Sequence, residues 1–179
     1  MTGHVLLCRP DHFRIAYEIN PWMRTTNPAD QNAALRQWEQ LATHLDALGA
    51  KVELVQGAAD VPDMTFTANA GIVSGQTFIP SNFRRPERQP ERDRFIEWFA
   101  TRGYAIEPIG LHHAWEGEGD VLDARGLVVA ARGYRTDAGA LDELEPLLGR
   151  ELLRVELTDP YYYHLDTCFC PLRAGTALY

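Results

Sequence analysis

Hydrophobic residues along the chain change between the spacing of a helix and that of a strand in a regular order. In the first stretch they recur at intervals of three and four, at Leu35, Trp38, Leu41, Ala42, Leu45 and Leu48. This spacing predicts an amphipathic helix with Asn27 as its N-cap, Pro28 in its first turn and Gly49 at its end. Short apolar runs before and after it, at 5–8 and 52–55, predict buried strands.

The same order of elements then occurs twice more. In the second pass, the pattern predicts strands and a helix at 71–73, 77–80, 90–102 and 104–106. In the third pass, the corresponding strands and helix are at 121–122, 127–130, 136–149 and 152–157. Thr136 is expected to cap the helix of the third pass and Gly149 to end it, while Pro146 predicts a kink or a shortened last turn. A fourth pass begins at Cys168.

The repeated unit is strand, strand, helix, strand and polar loop, with a period of about 50 to 60 residues. A unit with one amphipathic helix and a small sheet cannot bury its apolar face alone, so neighbouring units must pack together. We therefore predict one α/β domain over residues 1–179, with units at about 1–66, 67–119 and 120–167 and the start of a fourth at 168–179. If the units form a ring, their polar loops converge on one axis, whereas in a doubly wound sheet only loops at the topological switch meet.

The chain stops at Leu178 and Tyr179, inside a segment that is predicted to be a strand. A propeller that ended there would keep an open sheet edge and an unfilled axis. We therefore expect the sequence to be part of a longer protein, cut after about three units.

Composition narrows the class of protein. The chain has 179 residues, 45% of them hydrophobic, and a net charge of −8, which argues against a nucleic-acid-binding surface. No apolar run approaches the roughly 18 residues that a membrane-spanning helix needs, so we expect no membrane partner. The three cysteines are an odd number without Cys-x-x-Cys spacing, which is typical of a protein in the reducing cytoplasm and provides no metal site.

Polar clusters follow the last strand of successive units. In the first cluster, Asp63 and Asn69 could hydrogen-bond a planar polar group, or simply form the polar entry to a strand. In the third, His164 and Asp166 stand two apart, so on an extended chain both side chains would face one ligand. The alternative for this pair is a surface turn.

The second cluster, at 116–120, holds three carboxylates and two glycines. Carboxylates this close repel one another unless they share a cation or a proton, and a solvated acidic turn is the alternative. The Asp-x-Asp-x-Asp-Gly spacing of a calcium loop is absent. His112 and His113 lie nearby, but adjacent residues of a strand face opposite sides, so we do not expect them to bind a metal ion.

The arginines of the second and third units are Arg84, Arg85, Arg88, Arg132 and Arg135. Most should be solvated or ion-paired, and one or two could hold a substrate carboxylate through a bidentate fork. Carboxylates, a histidine, an amide and arginines together suit a substrate with a cationic planar end and an anionic end, such as arginine.

Several short motifs resemble one enzyme family. They are Phe-Thr-Ala-Asn at 66–69, Glu-Gly-Glu-Gly-Asp at 116–120, His-Leu-Asp at 164–166 with Phe169, and Glu-Ile-Asn-Pro-Trp-Met at 18–23. Together they resemble the guanidino-group-modifying enzymes, the amidinotransferase and arginine deiminase superfamily, and within it the branch that contains arginine dihydrolases. The resemblance implies an α/β propeller of five units, the pentein fold, of which this chain would hold about three.

In that family a cysteine attacks the guanidinium carbon to form a covalent amidino-thioether, so the resemblance implies a hydrolase of guanidino C–N bonds. His164 is the implied general acid and base. Glu116 and Asp166 are implied to bind guanidinium nitrogens, with Glu118 as a rival of Glu116 because relatives often have one residue fewer in this motif. Asn69 stands where deiminases have an aspartate, and implies removal of both nitrogens to give ornithine, ammonia and CO2 rather than citrulline.

The remaining implied roles concern substrate binding. Arg88 and Arg135 are the implied clamps for the substrate carboxylate, Asn20 is a weaker contact, and Asp63 is a further candidate. We expect no cofactor and no metal ion. The expected partner is a small arginine-like molecule, and a homo-oligomer is left open.

The family nucleophile is a cysteine near the C-terminus, in the fifth unit. Cys8, Cys168 and Cys170 do not match that position, so we interpret all three as small strand residues. The chain by itself should therefore not turn over substrate. The alternatives are a dimethylarginine dimethylaminohydrolase or an amidinotransferase and, outside enzymes, a domain that binds arginine without cleaving it or a structural domain whose polar loops are only turns.

Overall fold

In the computed structural model, which describes residues 3–173 and 175–179, the chain divides into two compact units, Met1–Thr67 and Ala68–Tyr179. In the first unit, strands β1 (His4–Cys8) and β2 (Lys51–Val55) pair in parallel, and helix α1 (Gln31–Ala47) connects them. Parallel strands need such a crossover because the chain must return to the same end of the sheet before the second strand begins.

Helix α1 starts later than its sequence predicts. Its N-cap is Asp30, whose Oδ1 accepts a hydrogen bond of 2.9 Å from the backbone N–H of Ala33. The predicted cap, Asn27, instead donates its backbone N–H to Arg24 O at 3.0 Å in a preceding turn. The prediction was wrong because more than one residue here has a capping side chain, and only Asp30 reaches an unpaired N–H of the first turn. The helix ends before Gly49, at a φ of 81°, as predicted.

The second unit begins with a three-stranded sheet. Its strands are β3 (Gly71–Ser74), β4 (Thr77–Pro80) and β5 (Ala105–Ile106), in that order across the sheet. The hairpin β3–β4 is antiparallel, helix α2 (Glu91–Ala100) follows it in the chain, and β5 then pairs in parallel with β4. The predicted order of strand, strand, helix and strand is therefore present.

The same arrangement then recurs in a second sheet. Its strands are β6 (Val121–Asp123), β7 (Val128–Arg132) and β8 (Leu152–Glu156), again in chain order. The hairpin β6–β7 is antiparallel, helix α3 (Ala138–Leu148) follows, and β8 pairs in parallel with β7. Identical pairing in both sheets follows from the same crossover, which returns the chain beside the second strand.

A last hairpin consists of β9 (Cys170–Arg173) and β10 (Thr176–Leu178), which are antiparallel. The α/β class is confirmed by these elements. Closure into a propeller, the number of units, their boundaries and the single domain remain predictions.

The core of the second unit lies against one face of α3. Ala140, Leu141 and Leu144 are fully buried and belong to one apolar cluster with Trp115 and residues of both sheets. Trp115 Nε1 donates a hydrogen bond of 2.9 Å to Pro80 O, so the buried indole N–H is paired. Within the described part of the chain, no helix has the length and apolar character that crossing a membrane requires.

The sequence predicted the C-terminal end of α3 correctly, but not its N-cap. The helix continues past Pro146 and stops before Gly149, whose φ of 62° is the left-handed conformation of a C-terminal glycine. At the other end, the N-cap is Asp137 rather than Thr136. The prediction of Thr136 was wrong because its hydroxyl donates to Asp120 Oδ2 at 2.6 Å, away from the helix.

Candidate functional site

Three polar residues that are distant in sequence meet in the second unit. Each belongs to, or directly precedes, a short 3-10 turn that leads into a hairpin: Asn69 lies in Thr67–Ala70, Glu116 precedes Gly117–Gly119, and His164 precedes Leu165–Thr167. His164 Nε2 lies 3.2 Å from Glu116 Oε2 and 3.4 Å from Asn69 Nδ2. The Asn69 amide also donates to Glu116 O at 3.5 Å. All three residues are buried, with His164 only 4% exposed.

Two glycines in the acidic motif make this approach possible. A Cβ atom at Gly119 would lie 2.3 Å from Asn69 Nδ2, which is closer than real side chains allow, and 3.1 Å from His164 Nδ1, which is a tight contact. Gly117 has a φ of 61°, and a Cβ atom there would lie 2.6 Å from Ala68 O. Glycine at 119 therefore leaves the space in which Asn69 and His164 approach each other, and glycine at 117 lets the motif pack against the backbone of Ala68.

A second carboxylate, Asp120, holds the other side of the imidazole. Asp120 Oδ1 lies 3.2 Å from His164 Nδ1 and accepts a hydrogen bond of 3.1 Å from the backbone N–H of Leu165. Its Oδ2 accepts from Thr136, whose hydroxyl in turn accepts from the backbone N–H of Glu116 at 3.2 Å. Asp120 was not among the predicted site residues. Its place at the end of the acidic motif was the available signal.

The two carboxylates and the imidazole change one another's proton affinity. Burial by itself lowers the pKa of His164, but the contacts with Asp120 and Glu116 outweigh it and raise the pKa to about 9. Burial also opposes ionisation of Glu116, yet its bond with His164 and the positive charge of Arg135 lower its pKa to about 2. At neutral pH the pair is therefore an imidazolium and a carboxylate.

The two predicted carboxylate clamps are bound to residues of the site. Arg135 NH1 donates to Glu116 Oε2 at 2.9 Å. Arg88 NH1 donates to Asn69 Oδ1 at 2.9 Å, and its Nε and NH2 make two bonds of 2.8 Å with Glu91. Both arginines are buried, so here they orient Glu116 and Asn69. Their role toward a substrate carboxylate remains a prediction. Glu91, which is fully buried, was not predicted because it lies in a charged stretch without a distinguishing pattern.

Glu116 and Glu118 lie in different environments, and so do His164 and Asp166. Glu116 is buried against His164, whereas Glu118 and Asp166 are exposed. The premise of an extended chain after His164 was wrong, because Leu165–Thr167 forms a 3-10 turn and alternation of faces does not apply there. Both residues reach solvent, but surrounding protein atoms still partly desolvate their carboxyl groups. This desolvation raises the pKa of Glu118, and it raises that of Asp166 to about 6, while the charge of His164 opposes the latter shift. Binding of a guanidinium by either side chain remains a prediction.

The other two predicted residues belong to the first unit. Asn20 Oδ1 accepts hydrogen bonds from the backbone N–H groups of Trp22, at 2.9 Å, and Met23, at 3.2 Å, so its side chain closes a local turn. Asp63 is buried in the 3-10 turn Pro62–Thr65. The substrate contacts of both residues remain predictions.

The three cysteines occupy different environments. Cys8 is buried in β1 and Cys170 is exposed at the start of β9. Cys168 is partly buried, and its burial, together with the charges of Asp166 and Asp120, raises the pKa of its thiol. A raised pKa lowers the fraction of thiolate, so Cys168 lacks the environment of an activated nucleophile.

His112 and His113 do not face opposite sides as expected. Their Nε2 atoms lie 3.5 and 3.9 Å from one oxygen, Oε1 of Glu143. The expectation was wrong because these residues lie in an irregular loop, outside the named strands, where alternation of faces does not hold.

Comparison with known proteins agrees with the motifs. The profile of the family described as "N,N dimethylarginine dimethylhydrolase, eukaryotic" matches residues 9–177. The chain belongs to this family. The resemblance to guanidino-group-modifying enzymes is thereby confirmed.

Named relatives include two kinds of enzyme. The chain is 39% identical over 178 residues to the N(G),N(G)-dimethylarginine dimethylaminohydrolase of Mycobacterium tuberculosis, covering 99% of this chain and 58% of that protein. It is also 39% identical over 178 residues to ArgZ, a bifunctional arginine dihydrolase/ornithine cyclodeaminase of Synechocystis, covering 98% of this chain and 25% of ArgZ. The chain thus spans little more than half the length of the first relative and a quarter of the second.

A solved structure supports the fold. The N-terminal domain of ArgZ, in an asparagine-to-serine mutant covalently bound to a reaction intermediate, superimposes with a TM-score of 0.93 and 36% identity. The superposition covers 98% of this chain and 65% of that chain. The α/β arrangement described above is therefore that of an enzyme domain in this family.

Proposed function

We propose that this chain carries the acid–base and guanidinium-binding part of a hydrolase that acts on the guanidino C–N bonds of arginine or a close analogue. The observation that carries the proposal is the buried contact of His164 with Glu116 on one side and Asp120 on the other. A buried imidazole between two carboxylates is suited to holding and releasing a proton at a fixed position. Membership of the family supplies the substrate class.

Glu116 is proposed to bind the guanidinium group. Its Oε2 is shared by Arg135 and His164, and its Oε1 accepts the backbone N–H of Arg84 at 3.2 Å. A carboxylate has about four lone-pair positions, so one position on Oε1 stays available for a substrate N–H. The low pKa of Glu116 keeps it charged, which strengthens a hydrogen bond from a cation. Asp166 and Asp63 are retained as further candidate contacts.

His164 is proposed to move the proton in both halves of the reaction. As a thiolate attacks the guanidinium carbon, the imidazolium gives its Nε2 proton to the nitrogen whose bond to that carbon breaks, and the amine leaves. The neutral imidazole then removes a proton from water, whose oxygen attacks the amidino carbon and releases the thiolate. A pKa of about 9 keeps His164 protonated at neutral pH, ready for the first step.

The thiolate is proposed to come from outside the sequence described here. Cys168 has a raised pKa, Cys8 is buried in the first unit and Cys170 does not match the position of the family nucleophile, so none of the three is suited to the role. Covalent chemistry in the family is supported by the ArgZ domain that carries a covalently bound intermediate. We therefore expect this chain alone to bind, but not to turn over, substrate.

Asn69 favours the dihydrolase reaction, in which two successive hydrolyses convert arginine and two waters into ornithine, two molecules of ammonia and CO2. Arg88 bonds to Asn69 Oδ1, so the Asn69 NH2 group is directed toward His164 and Glu116 O. An amide adds no negative charge beside His164, unlike the aspartate of deiminases. The second candidate is removal of dimethylamine from dimethylarginine, which the family profile and the Mycobacterium tuberculosis relative favour. An amidinotransferase would instead need an acceptor amine.

The products decide between these reactions. The protein encoded by the whole gene would be incubated with arginine, dimethylarginine and arginine plus an acceptor amine. Ornithine and ammonia from arginine support the dihydrolase, and citrulline with dimethylamine supports the alternative. For the protein encoded by the whole gene, heat on titration with arginine without any product would support a binding domain that does not cleave its ligand and would contradict the proposal.

The pentein propeller is proposed for the protein as a whole. Two sheets formed from the same order of strand, strand, helix and strand support it. Three polar turns at equivalent places in the repeat support it as well. A cytoplasmic location is also proposed, and it is supported by the free cysteines, which are typical of a reducing compartment. Self-association is left open. A crystal structure of the protein from the whole gene, with substrate, would test ring closure and the contacts of Asn20, Arg88 and Arg135. A structure whose sheets do not close into a ring would contradict the pentein propeller.

A further inference from the structure

A second cluster of histidines and a carboxylate lies on the surface of the second unit. It consists of His112, His113 and Glu143, and one ligand atom from each lies within 4.8 Å of the other two. Both imidazole Nε2 atoms converge on Glu143 Oε1, at 3.5 Å for His112 and 3.9 Å for His113. None of these residues takes part in the His164 site, so the cluster needs an explanation of its own.

Two glycines make room for the two rings. A Cβ atom at Gly110 would lie 2.5 Å from His112 Cε1, and one at Gly139 would lie 2.4 Å from His113 Nε2 and Cε1. Gly139 and Glu143 are one turn apart on α3, so the helix presents a gap and a carboxylate on the same face. The two imidazole rings therefore occupy the space that a side chain at position 110 or 139 would otherwise fill.

The carboxylate is held so that one oxygen faces the histidines. Glu143 Oε2 accepts a hydrogen bond of 2.7 Å from the backbone N–H of Gly110. This bond directs Oε1 toward the two Nε2 atoms. Backbone bonds of this kind commonly orient the carboxylate ligands of metal sites.

The loop that carries the histidines is anchored at both ends. The Asn82 amide donates to Leu111 O at 3.0 Å and to His113 O at 2.6 Å. The backbone N–H of Ala114 donates to Asp137 Oδ2 at 2.8 Å, and that of Asp137 donates to Ala114 O at 2.9 Å. The histidine backbone is therefore positioned without any bound ion.

We propose that His112, His113 and Glu143 form a surface site for a divalent transition-metal ion of the zinc class. Ligand atoms about 2.0–2.1 Å from tetrahedral zinc are about 3.4 Å apart, and the separations of 3.5 and 3.9 Å between the two Nε2 atoms and Glu143 Oε1 are close to that value. Two imidazole nitrogens favour zinc, copper or nickel over magnesium and calcium, which prefer oxygen ligands. Water would occupy the fourth position.

The site would join the loop to α3. Three ligands from two elements connect the loop that leads into Trp115 and Glu116 with the helix that packs on the core. An ion that binds only the folded chain stabilises it, and this stabilisation grows with the logarithm of the ion concentration relative to the dissociation constant. The proposal does not depend on the reaction proposed for His164.

The test is a calorimetric titration of the reduced protein with ZnCl2, repeated with NiCl2 and MgCl2. We expect one zinc ion per chain, with a dissociation constant of about 1–10 µM, and no binding of magnesium. His112→Ala, His113→Ala and Glu143→Gln should each weaken zinc binding by about 10–100-fold. His44→Ala, which changes an exposed histidine of α1, is the matched control and should bind as the parent does.

Gly139→Ala separates a metal site from a merely structural cluster. The added methyl would occupy the position of the His113 ring, so zinc affinity should fall by about tenfold or more, although alanine favours a helix. Unchanged zinc affinity in His113→Ala or in Gly139→Ala, or no zinc binding at 1 mM, roughly a hundredfold above the expected constant, would overturn the proposal.

Discussion

The second unit contains two clusters of histidine and carboxylate that differ mainly in burial. In the inner cluster, His164 lies 3.2 Å from both Glu116 and Asp120 and is 4% exposed. In the outer cluster, the histidines lie 3.5 and 3.9 Å from Glu143, and the His112 side chain is 71% exposed. The residue types are the same, and the distances are similar.

The difference in burial decides what each cluster can do. In the inner one, both ring nitrogens of His164 face carboxylates and the ring is buried beside Asn69, so the charges hold a proton on the imidazole. In the outer one, two rings offer one nitrogen each to the same oxygen, beside solvent. The low dielectric around the buried cluster thus favours proton transfer there. The solvent-facing ring nitrogens of the outer cluster favour coordination of a metal ion.

The largest expected effect is on turnover. His164→Ala should lower kcat of the protein encoded by the whole gene by about 10²–10⁴-fold, because it removes the general acid and base. The same change at His112 should leave kcat within about twofold. Production of ornithine, citrulline and ammonia measures both, and a melting curve checks that the variants fold. Activity of His164→Ala within about tenfold of the parent contradicts its role.

The next largest effect is on stability. Glu116→Gln should lower the free energy of unfolding by about 3–5 kcal/mol, because it leaves Arg135 and His164 buried without their charged partner. Glu143→Gln at the surface should change it by less than about 1 kcal/mol. Urea denaturation measures both. Glu116→Gln should also lower the pKa of His164, seen by NMR titration of the ring, since burial alone lowers it. Equal destabilisation by the two changes would remove the contrast between the clusters.

A smaller loss is expected from Gly119→Ala. The added methyl would overlap Asn69 Nδ2 and crowd the His164 ring, and overpacking of this kind costs about 1–3 kcal/mol. Gly3→Ala is a suitable control because a Cβ atom at Gly3 meets nothing within 4 Å. Thermal unfolding compares them. A Gly119→Ala variant as stable as the control, with an unperturbed His164 signal, would show that the close approach at Gly119 is unnecessary.

The smallest effect is the dependence of stability on pH. Glu116 stabilises the fold fully above its unfolded pKa of 4.5, and this contribution is lost as pH falls toward about 2. His164 stabilises it fully below its unfolded pKa of 6.5, and this contribution is lost as pH rises through about 9. Stability should therefore be greatest between these unfolded values and fall by about 1–2 kcal/mol from pH 6 to 8. Urea midpoints measured across that range test this, and a flat profile would contradict the shift assigned to His164.

Local sequence pattern was sufficient for the elements and for the loops that carry Asn69, the acidic motif and His164. Period-two and period-3.6 spacing located the hairpins β3–β4 and β6–β7 and the helix of each sheet within a few residues. Repetition of that order placed Asn69, Glu116 and His164 at equivalent loops. These features are set by residues that lie close together along the chain, so the sequence pattern is enough to predict them.

The tertiary structure decides which side chains contact one another in both clusters. Whether Glu116 or Glu118 meets His164, and whether Asp120 or Asp166 faces its other nitrogen, depends on 3-10 turns that interrupt the alternation of faces. The same holds for Arg88 and Arg135, which pair with Asn69 and Glu116, and for His112 and His113, which meet Glu143 on α3. Charge attraction and steric contact act through space between residues far apart along the chain, so only the folded structure decides them.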